Sequence, residues 1–245
     1  VTPDNARLWH ALGLGPRWRE RAATSPPDVL AARTGAPPGQ TLPGPGLDWD
    51  GLEQAVAACT ACGLCQSRTQ TVFGVGQRSA HWLLVGEAPG AEEDARGEPF
   101  VGQAGRLLDN MLAAAGLGRD RAGAQGVFIA NVLKCRPPGN RNPEADEVAR
   151  CTPFLQRQIA LLQPRIVVVL GRFAAQALLS TDASIGSLRG RVHAVDVTPP
   201  GGVPRSVPVI VTYHPADLLR NLADKAKSWD DLCLALDTYS AAVPG

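Results

Sequence analysis

His81-Trp82-Leu83-Leu84-Val85-Gly86-Glu87-Ala88-Pro89-Gly90 is an apolar run that stops abruptly at a glycine and a carboxylate. The run itself reads as a short buried strand. The next stretch, Ala91-Glu92-Glu93-Asp94 and then Glu98-Pro99-Phe100-Val101-Gly102-Gln103-Ala104-Gly105, is not an ordinary connection. Gly86, Gly90, Gly97, Gly102 and Gly105 interrupt regular structure and let the backbone come close to something bound there. A long surface loop is the competing reading, but it has no need of so many glycines beside an acidic cluster and a lone aromatic, Phe100.

Three further apolar runs extend the pattern, each ending at a residue that can do chemistry. Val127–Ala130 leads to Asn131, Ile166–Leu170 to Gly171, and Val207–Thr212 to Tyr213-His214. Continuous β-branched runs suit parallel strands buried on both faces. Pro208 fits only an edge or the start of its strand. Helical segments are expected at about 102–115, 143–162, 171–179 and 216–239, with Asn142 as N-cap, Pro143 as first helical residue and a kink or restart at Pro153. Strand, helix, strand at this spacing implies βαβ units and an α/β fold with a mostly parallel four-stranded sheet. Ligands in such sheets bind beyond the carboxyl ends of the strands, so Glu87, Asn131 and His214 should share one crevice.

The 245 residues carry a net charge of +1 and are 44% hydrophobic, enough for a real core but without an overall field that announces a nucleic-acid partner. No apolar run approaches a membrane span, and the first residues lack a continuous apolar segment suited to secretion. The expectation is a cytoplasmic protein. Leu8, Trp9, Leu12, Leu14 and Trp18 suggest a short amphipathic helix near the start, and residues 24–46 are rich in proline and glycine. Residues 1–46 are read as a helix and tether, able to dock a partner, and residues 47–245 as the globular domain.

The six cysteines point to metal or redox chemistry rather than disulfides. Cys59-x2-Cys62 has the spacing of a metal knuckle, and Cys135 and Cys151 form a distant second pair. Four thiolates from two segments suit zinc or an iron–sulfur cluster, and spacing alone leaves Cys65 as a competitor for Cys62. Buried apolar cysteines are the plain alternative, which Arg136 and Arg150 argue against. Cys233 is expected in the core.

Taken together, these residues resemble the iron–sulfur uracil-DNA glycosylases known as family 4. The resemblance covers roughly residues 52–240. It is carried by Cys59-Thr60-Ala61-Cys62, Arg68-Thr69, Val85-Gly86-Glu87-Ala88-Pro89-Gly90 and Pro99-Phe100-Val101-Gly102. It continues through Asn131-Val132-Leu133-Lys134-Cys135-Arg136-Pro137-Pro138, Asn140-Arg141, Cys151, and His214-Pro215-Ala216 with Leu218-Leu219-Arg220. It implies a three-layer α/β/α fold, a 4Fe–4S cluster on Cys59, Cys62, Cys135 and Cys151, and excision of uracil from DNA; a monomer is expected. It further implies that Glu87, Ala88 and Glu93 line the uracil pocket, that Phe100 stacks on the base, that Asn131 reads its polar edge and that His214 contacts O2. Leu218, Leu219 and Arg220 resemble the segment that enters the duplex. Asp217 stands where relatives often carry an aromatic. The loop after Cys135 lacks the histidine-bearing insertion of relatives that trap uracil covalently, so turnover is expected.

The chemistry accounts for these residue types. A uracil inside a duplex must be flipped out, and an apolar wedge can fill the space it leaves. An aromatic face then holds the flat base. A carboxamide offers an acceptor and a donor that match N3–H and O4 of uracil. Cleavage leaves negative charge on the base, which a histidine N–H can stabilise. Glu87 is a candidate to assist the attacking water. Basic residues such as Arg136, Arg141, Arg189, Arg191 and Arg220 are candidates for phosphate contacts. The alternatives from other classes are a non-catalytic nucleic-acid-binding module with a four-cysteine metal site, and an iron–sulfur electron carrier. The carrier explains the cysteines but not Phe100, Asn131 and His214 at converging strand ends.

Overall fold

The protein is described by a computed structural model over residues 46–242. The helix and tether read over residues 1–46 lie, except for Gly46, outside the described residues. Within the described residues the strands are β1 (Val75–Gly76), β2 (Trp82–Gly86), β3 (Val127–Asn131), β4 (Ile166–Leu170), β5 (Val192–Val197) and β6 (Arg205–Thr212). They form one sheet in the order β1-β3-β2-β4-β6-β5. The four expected runs are its parallel centre, with Leu84 opposite both Ile129 and Val168.

The sheet has six strands rather than four because β1 and β5 pair antiparallel on its two edges. β1 is only two residues long and includes Gly76 at φ 113°, so it has no periodicity to read. β5 is a half-exposed edge carrying His193 and Asp196, far from the continuous apolar pattern of the centre. Its pairing also lengthens β6 at the start. Pro208 lies opposite Ala194, one residue before the β4–β6 ladder begins at Val209.

Side chains of the central strands alternate between two apolar layers, as the two-residue period of a strand requires. Leu83, Val85, Val167, Val169, Val209 and Val211 face α1 (Trp49–Ala57), α4 (Ala145–Leu162) and α5 (Arg172–Leu179). Trp82, Leu84, Ile166, Val168 and Ile210 face α3 (Gln103–Ala114) and α8 (Asp224–Ala242). Each such side chain fully removed from water contributes about 1.5–3 kcal/mol. The result is the three-layer α/β/α arrangement.

Shorter helices complete the chain: α2 (Ala91–Arg96), α6 (Ile185–Leu188) and α7 (Pro215–Arg220). Three boundaries differ from expectation. α4 is capped by Glu144, not Asn142, because the Glu147 carboxylate accepts from the Glu144 N–H at 2.9 Å. α4 also runs through Pro153 as one helix. The closing helix is two, separated at Asn221, whose backbone (φ −120°, ψ 82°) is not helical. Finally, the acidic stretch after Gly90 is the first turn of α2, where carboxylates face the positive end of the helix, and Gly97 closes it in the left-handed conformation.

Candidate active site

Glu87, Asn131 and His214 are each placed by the carboxyl end of a parallel strand, and Phe100 by the loop between α2 and α3. Gly86 closes β2 and lies directly opposite Asn131, which closes β3. Gly171 comes immediately after β4, and His214 lies two residues beyond β6. The structure thus brings Glu87, Asn131 and His214 to one end of the sheet, as topology predicted.

Asn131 is 2% exposed, and its Oδ1 is buried with no hydrogen-bond partner among the described residues. A buried acceptor left unpaired costs about 1–3 kcal/mol, so this atom is aimed at something the protein itself does not supply. Next to it, Gly86 has no room for a side chain. A Cβ there would come within 2.4 Å of Asn131 Oδ1 and 2.7 Å of the Phe100 ring. The absent side chain leaves the amide and the ring next to each other.

Phe100 has a left-handed backbone (φ 55°), a conformation that costs an L-residue about 1–2 kcal/mol. Its ring is buried and lies 5.4 Å from the His214 ring, tilted by 30°. His214 also caps α7, its Nδ1 accepting from the Ala216 N–H at 3.1 Å. That bond requires an unprotonated Nδ1, so the neutral ring carries its proton on Nε2. Burial holds the His214 pKa below the ordinary histidine value, and the nearby Arg220 adds to this, while Asp217 and Glu93 oppose it. The ring is therefore a neutral N–H donor at pH 7. Behind it, Gly171 (φ 95°) approaches so closely that a Cβ would lie 2.9 Å from the His214 Cβ.

Glu87 is partly buried, and burial together with Asp217 raises its pKa to about 7 against the lowering effect of Arg172. Glu93 has a different place. Its Oε2 accepts from the Gly90 N–H at 3.1 Å, and its Oε1 from Val101 and Gly102 at 3.0 and 3.2 Å. It therefore binds the two sides of the Phe100 loop together. The Ala88 side chain packs on Leu64, Leu133 and Cys135.

Leu218 is fully buried, whereas Leu219 is 40% exposed and Arg220 is exposed. Leu218 serves the core in this structure, so it is Leu219 that stands where a duplex could meet it. Arg220 pairs with Asp217. Arg189 is committed to the buried Asp231 at 3.0 Å, and Arg141 to Glu147 at 2.6 Å. Arg136 donates to Asn140 Oδ1 at 2.7 Å, and Arg191 is exposed.

Cys59, Cys62, Cys65, Cys135 and Cys151 line one cavity with Arg68 and Lys134. Among the described residues, no group of three or more His, Cys, Asp or Glu is arranged to hold a metal ion. Burial pushes the Cys151 thiol up to about 12 and also raises Cys62 and Cys135. Two contacts oppose that rise. Arg68 donates to Cys135 Sγ at 3.0 Å, and the Lys134 N–H to Cys151 Sγ at 3.2 Å. Lys134 is 2% exposed, and its ammonium reaches only neutral oxygens, Asn131 O at 2.7 Å and Gln158 Oε1 at 2.6 Å. A buried cation so placed calls for neighbouring negative charge, which metal-bound thiolates would supply. The four cysteines expected as ligands thus share one cavity, with Cys65 beside them. Cys233 is half-buried and lies away from this cavity.

Residues 73–233 match the family model described as the uracil DNA glycosylase superfamily. The type-4 uracil-DNA glycosylase of Archaeoglobus fulgidus is 42% identical over 174 residues, covering 69% of this chain and 82% of the relative. That of Pyrobaculum aerophilum is 38% identical over 192 residues, covering 77% and 93%. The chain belongs to the type-4 uracil-DNA glycosylases. The type-5 uracil-DNA glycosylase of Thermus thermophilus is more distant, 35% identical over 141 residues and 54% of this chain.

Several residues that brace this glycosylase site escaped sequence reasoning. Asp94 is buried and accepts the Thr69 N–H on both oxygens at 2.9 and 3.0 Å, tying α2 to the segment after the first cysteines. Gln158, fully buried in α4, joins Lys134 to the Phe73 carbonyl. Arg119 grips the Phe100 loop. Pattern offers no signal for these, since each acts by reaching a backbone group far away in sequence.

Proposed function

We propose that this protein is a DNA-repair glycosylase that hydrolyses the N-glycosidic bond of a flipped uracil, releasing free uracil and leaving an abasic site. The observation that carries the reading is the buried, unpartnered Asn131 Oδ1 beside the Phe100 ring, with a neutral His214 donor close by. Uracil stacks on Phe100, gives its N3–H to Asn131 Oδ1 and takes the amide N–H on O4. Glu87 and the Ala88 backbone close the pocket, and Glu93 holds its loop. Heterolysis sends the bonding electrons of C1′–N1 into the base, and His214 Nε2–H stabilises the charge on O2. Water then adds to the sugar carbon and gives its proton to the Glu87 carboxylate, which faces the cationic sugar, and the uracil anion takes up a proton from solvent as it leaves.

Leu219 enters the stack and Arg220 meets a phosphate at the surface where both are exposed. Cys59, Cys62, Cys135 and Cys151 would hold a 4Fe–4S cluster, which when bound would crosslink the segment before β1 to the β3–α4 loop at Cys135 and to α4 itself at Cys151. The same reading makes the protein a cytoplasmic monomer, with residues 1–46 a tether for a repair or replication partner. Among the described residues no helix is long and apolar enough to cross a membrane.

Release of free uracil from a uracil-containing oligonucleotide, with an alkali-labile abasic site left behind, tests the activity. A protein that binds the oligonucleotide and releases no base would be the non-catalytic alternative.

The cluster assignment gives a second expected result. Cys135→Ser and Cys151→Ser should each lose iron and soluble yield, while Cys65→Ser and Cys233→Ser keep wild-type iron content. Iron measured per chain, with visible absorption, checks this. Full iron in the first two variants would contradict the assignment.

Glu87 gives a third. Its pKa near 7 is raised from the ordinary value, so the carboxylate forms only as pH rises through that point. Single-turnover excision should increase by about tenfold per unit between pH 5 and 7 and level off above, and Glu87→Gln should be slow and flat. A wild-type profile already level at pH 5.5 would remove Glu87 from the step.

A further inference from the structure

We propose that Arg119 is a positioning residue that sets the stacking ring of the pocket, acting through the backbone of Phe100. The inference rests on the reading of Phe100 as the surface on which uracil stacks. Phe100 occupies a left-handed backbone conformation, which L-residues keep only when their surroundings enforce it. Arg119 supplies that enforcement from one side. Its Nη1 donates to the Pro99 carbonyl and its Nη2 to the Phe100 carbonyl, both at 3.2 Å, so the two peptide oxygens flanking the Phe100 Cα are held by one planar group.

The guanidinium is itself fixed. Nε and Nη2 donate to Asp109 Oδ1 of α3 at 3.0 and 2.7 Å, and Nη1 donates to Glu98 Oε1 at 3.1 Å. Its side chain is only 14% exposed. Gly105 backs the same peptide from α3, where a Cβ would lie 1.8 Å from the Phe100 oxygen. Lysine cannot replace this grip, because it offers a point charge in place of a rigid fork. All these contacts converge on the peptide that carries the ring, so the function of Arg119 is the attitude of Phe100.

A displacement of about 1 Å in such a support can cost about 10²-fold in rate. Arg119→Lys should therefore lower single-turnover uracil excision by roughly 10- to 100-fold and weaken inhibition by free uracil, leaving affinity for undamaged DNA unchanged. Asp109→Asn, at a half-exposed position, should act in the same direction to a smaller degree. It carries the test if Arg119→Lys gives no folded protein.

The deciding comparison is made in the Phe100→Ala background, where Arg119→Lys or Asp109→Asn should cause no further loss. Losses that add in that background overturn the proposal, as does wild-type excision by Arg119→Lys. If Phe100→Ala alone excises uracil at the wild-type rate, the stacking reading fails and the proposal falls with it. That outcome is distinct from one in which Phe100→Ala is impaired and Arg119→Lys is not.

Discussion

Asn131→Asp is expected to lower single-turnover excision of uracil by roughly 10⁴-fold, the scale on which a buried site rejects a mismatched hydrogen-bonding pattern. The substitution keeps the size of the side chain and replaces its donor with an acceptor, so O4 of uracil would face a carboxylate oxygen. The site offers no escape from that mismatch. Asn131 is at the end of a central strand, 2% exposed, and Gly86 packs against its amide with no space for a methyl group. The Asn131 carbonyl is held in addition by Lys134 at 2.7 Å. Cytosine, with an amino donor and an N3 acceptor, would match the aspartate only when the acid is protonated. Any cytosine release by the variant should therefore be weak and should grow as pH falls. Uracil excision at the wild-type rate would show that Asn131 does not read the base.

His214→Ala is expected to slow single-turnover excision by about 10²–10³-fold while binding to uracil-containing DNA changes far less. The chemical step alone needs the Nε2 donor, whereas affinity comes mainly from phosphate contacts. The pH dependence carries its own sign. Burial depresses the His214 pKa below the ordinary histidine value, so the ring is neutral at pH 7 and gains its proton at a lower pH than a free histidine does. Protonation would place a second N–H at Nδ1, against the Ala216 N–H that Nδ1 now accepts, and would disturb the start of α7. Activity carried by His214 should therefore be constant from neutral to alkaline pH, leaving the rise through about pH 7 to Glu87. Near-normal excision by His214→Ala would remove it from the mechanism.

The central sheet and the residues at its strand ends were legible because each signal is local. A run such as Ile166-Val167-Val168-Val169-Leu170 announces a buried parallel strand, and topology then places Gly86, Asn131 and His214 together. The edges were not legible. β1 is too short for a period, and β5 is a half-exposed edge whose polar residues, His193 and Asp196, fall on opposite faces and interrupt any apolar run. The acidic cluster is a sharper case. Glu92, Glu93 and Asp94 look alike in sequence, yet Glu92 is exposed, Glu93 ties the two sides of the Phe100 loop and Asp94 secures Thr69. Which of Leu218 and Leu219 faces solvent depends on how α7 rolls against α3, a tertiary property. Arg119 was invisible for the same reason, since its partners are carbonyls about twenty residues away.

A crystal structure of the protein with free uracil tests the central claim most directly. The base should lie flat on the Phe100 ring, its N3 within hydrogen-bond distance of Asn131 Oδ1 and its O2 toward His214 Nε2. Uracil bound elsewhere, or bound in the crevice with Asn131 Oδ1 still unpaired, would contradict it.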